Sequence, residues 1–176
     1  TICIGASIQL TANPISGVTY SWGAPISATG NNKTVAPSST TTYTVTVTNS
    51  TINCASVTSA AVTVNALPTP TISVAETSGN SNNDANICRG DAAVLTANPT
   101  TNATYSWASP ISSSGNGKSV SPISTTSDTV TVISSITGCA ASALTSVSVT
   151  IPPSPTTTVA ETSGNTNNDG TICVGA

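Results

Sequence analysis

The chain has no histidine, no methionine and no phenylalanine, and charged residues make up only 5% of its 176 positions. Each shortage removes a class of function. Without histidine there is no imidazole base for a serine or cysteine nucleophile. With no Cys-x-x-Cys either, a zinc site is not expected. No nucleophile–base arrangement is visible, so the chain is expected not to be an enzyme. Only Lys33, Arg89 and Lys118 are basic, and a formal charge of −3 offers no cationic surface for nucleic acid. No run of about 20 apolar residues is present to span a membrane. No leader-like segment opens the chain, which reads as an excerpt of a longer polypeptide already past its leader.

What the sequence does contain is repetition. Ile2-Cys3 returns as Ile87-Cys88 and again as Ile172-Cys173, a period of 85 residues without gaps. Leu10/Leu95, Tyr20-Ser21-Trp22/Tyr105-Ser106-Trp107, Val45/Val130 and Cys54/Cys139 keep that offset. Two copies and a short overhang fill the chain.

Valine, isoleucine and threonine are abundant and alternate, as in Tyr43-Thr44-Val45-Thr46-Val47-Thr48, where apolar and hydroxyl side chains point to opposite faces. The same period of two runs through Ile8, Leu10 and Ala12, through Ala93, Leu95 and Ala97, and through Val130 and Val132. No window shows helical spacing. Turn residues separate the strands at 12–14, 30–32, 97–99 and 115–117. The expected fold is therefore all-β: tandem antiparallel immunoglobulin-like β-sandwiches with an 85-residue repeat.

Pro68-Thr69-Pro70 and Pro153-Ser154-Pro155 follow the last strand of each copy and resemble short, stiff linkers. Thr71 to Ala75 would open the next domain. On this division 1–67 is a repeat lacking its first strand, 68–152 is a complete repeat, and 153–176 is the first strand and loop of a following one. A sandwich without an edge strand exposes unpaired backbone and an apolar cleft. Either the polypeptide continues in both directions, or the overhang of one subunit inserts into the next as a donated strand. Both produce a fibre whose partner is a neighbouring copy of itself.

The elements Cys3-Ile4-Gly5, Leu10-Thr11-Ala12, Tyr20-Ser21-Trp22, Ser39 to Val47 and Cys54 resemble the immunoglobulin-like, PKD-like repeats of secreted Bacteroidota surface proteins. The resemblance covers essentially all of both copies. It implies an extracellular or cell-surface location and a part in an adhesin, a pilus-like filament or stalk, or an accessory region of a secreted enzyme. The expected function is a structural subunit or segment of an extracellular bacterial filament or adhesin stalk, assembled head to tail. The alternative is a carbohydrate-binding or spacer module of a secreted enzyme. Copy two departs from the pattern at Asp128, where copy one has Tyr43, the candidate for a tyrosine-corner hydrogen bond.

Each copy holds two cysteines 51 positions apart, and Cys173 would start a third pair. Disulfides Cys3–Cys54 and Cys88–Cys139 are the natural reading and imply an oxidising compartment; the alternative is buried free thiols. Whether the strand order brings the two ends to one pole is not legible from spacing.

Four of the six acidic residues recur in near-identical segments, and these give the candidate ligand sets Glu76, Asn80, Asn82, Asp84 and Glu161, Asn165, Asn167, Asp169. Carboxylates, amide oxygens and backbone carbonyls are the hard ligands Ca²⁺ takes. The Asn-Asn-Asp run also resembles the calcium-binding interdomain linkers of cadherins. Calcium is thus the candidate cofactor; the competing reading is an Asn/Gly-rich loop closed by side-chain-to-backbone turns, without an ion.

Candidate glycosylation sites are Asn32, Asn49 and Asn102, each in Asn-x-Ser/Thr. Thr129 joins them, since Asp128-Thr129-Val130 resembles the Bacteroidota O-glycosylation signal. Arg89-Gly90-Asp91 has no counterpart in the other copies and is read as coincidence. Trp22 and Trp107 are expected to anchor the cores rather than stack on sugars.

Overall fold

The computed structural model describes residues 1–13, 15–79, 81–160 and 170, and among these every regular element is a strand. The first half contains β1 (Ile2–Cys3), β2 (Ile8–Thr11), β3 (Val18–Trp22), β4 (Ala28–Thr29), β5 (Asn32–Val35), β6 (Thr41–Asn49), β7 (Ala55–Val62) and β8 (Val64–Asn65). The second contains β9 (Thr71–Ala75), β10 (Asn86–Cys88), β11 (Ala93–Asn98), β12 (Ala103–Trp107), β13 (Gly117–Val120), β14 (Thr126–Ser134) and β15 (Ala140–Thr150).

In the second half β9–β11–β13 forms one sheet and β10–β15–β14–β12 the other. The first half has β2–β5, β4–β3–β6–β7 and the small pair β1–β8. All pairings are antiparallel except β1–β8 and β10–β15, which run parallel. Registers coincide at the sequence offset. Trp22 lies opposite Val45 and Trp107 opposite Val130; Leu10 lies opposite Lys33 and Leu95 opposite Lys118.

Alternation decides which face is dry. In β14, Asp128, Val130 and Val132 point inward and are buried, while Thr129 and Thr131 turn outward. The core of the second half gathers Ile87, Leu95, Trp107, Val130, Val132 and Val147. That of the first half is Ala12, Trp22, Tyr43, Val45 and Val62. Each tryptophan is fixed by its indole N–H: Trp22 donates to the Gly30 carbonyl at 2.8 Å and Trp107 to that of Gly115 at 2.9 Å. Tyrosine-to-backbone bonds come from β3 and β12, where the Tyr20 hydroxyl donates to the Asn13 carbonyl at 2.7 Å and that of Tyr105 to Pro99. The corner role expected of Tyr43 is therefore filled by Tyr20 and Tyr105, because Tyr43 points into the core.

The two halves differ at one edge. In the second, β11 is flanked by β13 and β9, and β9 also packs against β15. In the first, β2 has β5 on one side and no strand on the other among the described residues. Leu95 is 0% exposed, whereas its counterpart Leu10 is only half-buried. β7 is exposed along nearly its whole length, while β15 alternates between exposed and partly buried positions. Residues 151–160 are exposed and form no strand.

Candidate functional site

Among the described residues a disulfide cross-links the two halves. Cys3 and Cys139 form a disulfide with Cα atoms 5.6 Å apart, inside the range a disulfide tolerates. Cys3 ends β1, whose parallel pairing sets it opposite Asn65 at the end of the first half's last strand. The Ile2 and Ile4 N–H groups hold it there, donating to the Thr63 and Asn65 carbonyls at 2.9 Å each. Cys139 closes the β14–β15 hairpin: its carbonyl accepts the Ser134 N–H at 2.9 Å, and its own N–H donates to Thr137 Oγ1 at 3.3 Å. Gly138 provides the left-handed turn residue, at φ 73°. Cys139 is 1% exposed. A cavity of about 310 Å³ lies between Ala66, Leu67 and Pro68 of the connection and Pro99, Asn102 and Thr137 of the second half.

This corrects the expected pairs Cys3–Cys54 and Cys88–Cys139, neither of which forms. The reason is strand geometry. Cys139 directly precedes β15, and Cys88 lies opposite Thr150 at its far end. The strand has 11 residues. At about 3.3 Å per residue it separates the two sulfurs by roughly 36 Å, against the roughly 7 Å that a disulfide can span between Cα atoms. Cys54, just before β7, and Cys3, opposite Asn65 of β8, are separated in the same way. Cys54 is exposed and Cys88 half-buried, both as thiols. Cys173 lies outside the described residues.

The loop between β9 and β10 is closed by its own polar groups. Glu76, 5% exposed, accepts the Ser78 N–H on Oε2 at 2.7 Å and the Asp84 N–H on Oε1 at 3.0 Å. Its own N–H donates to Asn83 Oδ1 at 3.1 Å, and Asp84 Oδ1 accepts the Asn86 N–H at 2.8 Å. Ser78 Oγ accepts the Cys88 N–H and donates to Asp91 Oδ2, both at 2.7 Å. Gly79 (φ 76°) is needed where it stands, since a Cβ there would lie 3.1 Å from the Asn86 carbonyl oxygen. Calcium takes six to eight oxygens. Here both Glu76 oxygens and Asp84 Oδ1 face N–H donors, which a cation repels, and Asn82 is exposed. Among the described residues no three Asp, Glu, Cys or His side chains converge. The described carboxylate oxygens of this set are thus engaged by N–H groups of the loop itself. Asn80, Glu161, Asn165, Asn167 and Asp169 lie outside the described residues.

The candidate glycan acceptors are scattered. Asn32 is exposed at the start of β5, and Asn102 is exposed with φ 54°. Asn49 is partly buried, and its Oδ1 accepts the Thr51 and Ile52 N–H groups at 2.9 and 3.1 Å, holding the β6–β7 turn. Thr129 is half-buried in β14 opposite Leu144.

Beside β2 lies a cleft of about 470 Å³, lined by Leu10, Ala12, Trp22, Val45 and Ala60. In the second half β9 runs along the corresponding edge, with Leu95 opposite Val74 and Ala97 opposite Ile72.

No protein-family model matches the chain, and no curated protein matches its sequence. The sequence reading missed the inter-half bridge. The cysteine count carries no trace of it, since five cysteines leave one over under any pairing.

Proposed function

We propose that the chain is a segment of an extracellular bacterial filament or adhesin stalk, built from immunoglobulin-like repeats joined end to end. Its role on this reading is mechanical. The observation that carries it is the Cys3–Cys139 bridge, which ties the closing end of one repeat to the β14–β15 hairpin of the next. A cross-link between sequence repeats resists separation and bending at a junction, and neither binding a small molecule nor turning one over calls for it.

Three further features support the reading. Residues 71–150 divide into a three-stranded sheet, β9–β11–β13, and a four-stranded one, β10–β15–β14–β12, a division that supports a small two-sheet sandwich as the repeating unit. The open edge of β2 and its cleft suit a strand like Thr71–Ala75 from an adjoining copy, whether that copy precedes in the same polypeptide or belongs to the next molecule. A stable disulfide suits the oxidising space outside the cell. The aromatic residues argue against a sugar-binding module: Trp22, Trp107 and Tyr43 are buried, and Tyr20 and Tyr105 are tied to backbone carbonyls.

Electron microscopy and sedimentation of the chain under oxidising conditions test this. Thin, unbranched assemblies with one axial step per repeat are expected; a compact monomer at every concentration would remove the proposal.

A further inference from the structure

Cys54 and Cys88 are thiols placed where the bridged cysteines of the other repeat stand. The Cys3 carbonyl accepts the Ala6 N–H at 3.0 Å, and the Cys88 carbonyl accepts the Asp91 N–H at 3.0 Å. The residue after each cysteine donates its N–H to the end of the last strand: Ile4 to Asn65 and Arg89 to Thr150, both at 2.9 Å. The hairpin cysteines match as closely. Cys54 accepts the Asn49 N–H at 2.9 Å, as Cys139 accepts that of Ser134 at 2.9 Å. Asn53 takes φ 54° where Gly138 has 73°. Cys88 therefore sits at the far end of the second repeat as Cys3 does in the first. Cys54 occupies the β6–β7 hairpin of the first repeat as Cys139 does the β14–β15 hairpin of the second. Cys139 is covered by its junction, whereas Cys54 is exposed and Cys88 half-buried.

We propose that Cys88 and Cys54 are the two halves of further bridges of the Cys3–Cys139 kind. Cys88 of one molecule bonds to Cys54 of the molecule that follows it, so a disulfide crosses the junction between molecules as it does the one within. This rests on the end-to-end array proposed above. The chemistry needs a two-electron oxidant, a low-molecular-weight or protein disulfide. The Cys54 thiolate attacks the oxidant's S–S bond, one thiol leaves, and a mixed disulfide forms. The Cys88 thiolate of the neighbouring copy then attacks the Cys54 sulfur, and the second thiol leaves. Two protein thiols are oxidised by two electrons, and one oxidant disulfide is reduced to two thiols.

The test uses the full chain carrying Cys173→Ser, so that Cys54 and Cys88 are the only cysteines outside the Cys3–Cys139 bridge. Mixed ¹⁴N- and ¹⁵N-labelled chains are oxidised with glutathione disulfide, run on a gel without reductant, and digested for mass spectrometry. A ladder that collapses on reduction is expected, with Cys54 of one isotope joined to Cys88 of the other. Adding Cys88→Ser should abolish the ladder. Cys54 and Cys88 recovered as thiols, joined within one chain, or paired only with their own kind would overturn the proposal. Sedimentation in reductant separates the two ideas. Elongated assemblies that lack the Cys54–Cys88 link sink the bridge alone, whereas no association with or without reductant sinks the array and the bridge with it.

Discussion

Cys3 and Cys139 stand 136 residues apart in the chain and 5.6 Å apart, Cα to Cα, in the fold. Closing so long a loop removes conformational freedom from the unfolded chain worth about 5 kcal/mol in the chain-entropy model. Cys3→Ser is expected to lower stability on that order, and reductant should do the same to the unmodified chain. Denaturant titrations with and without reductant check this, and overlapping curves would show that the bridge contributes nothing.

Leu10 and Leu95 occupy matched places but have unequal surroundings, so truncating them should cost unequal amounts. Leu95→Ala removes a fully buried side chain and is expected to cost about 2–5 kcal/mol. Leu10→Ala, beside the open edge of β2, should cost well under half of that in the isolated chain. Adding a peptide with the sequence Thr71 to Ala75 should narrow the gap by covering Leu10. Equal losses without the peptide would mean that the edge is already filled.

Glu76 closes its loop by accepting two backbone N–H groups. Glu76→Gln turns one of those acceptors into a donor and is expected to destabilise the second repeat by about 1–3 kcal/mol. Chelator should leave the melting curve of the unmodified chain unchanged. A midpoint that climbs steadily with calcium concentration would instead signal a cation bound to the native state.

Asp128, 2% exposed, accepts on Oδ2 from the Thr126 hydroxyl at 3.1 Å. It borders a cavity of about 540 Å³; the corresponding cavity beside Tyr43 is about 330 Å³. Asp128→Tyr should fill that space as the first repeat does and raise stability by on the order of 1–3 kcal/mol. A lower melting temperature for this variant would show that the carboxylate is needed where it stands.

Strand positions were legible because alternation reports directly on which face is buried. The strand expected at Thr71 to Ala75 is β9, and the Tyr43–Thr48 alternation lies within β6. The cysteine pairing was not legible, since spacing along a chain carries no information about which pole of a sandwich a residue reaches. That depended on Cys88 pairing in parallel with the end of β15 while Cys139 precedes its start. The acidic loop was half legible. Its recurrence marked Glu76 and Asp84, but not that their oxygens would be taken by N–H groups two and eight residues away. Tyr43 is the corner candidate because it stands in the Ser39–Val47 element where copy two has Asp128. Register instead turned it inward and gave that work to Tyr20 and Tyr105.

The cysteine connectivity of the native chain, read by mass spectrometry after digestion without reductant, tests the end-to-end joining of repeats most directly. A peptide pair containing Cys3 and Cys139 is the expected product. Recovery of Cys3 bonded to Cys54, or of Cys88 bonded to Cys139, would place each bridge inside its own repeat and contradict the stapled array.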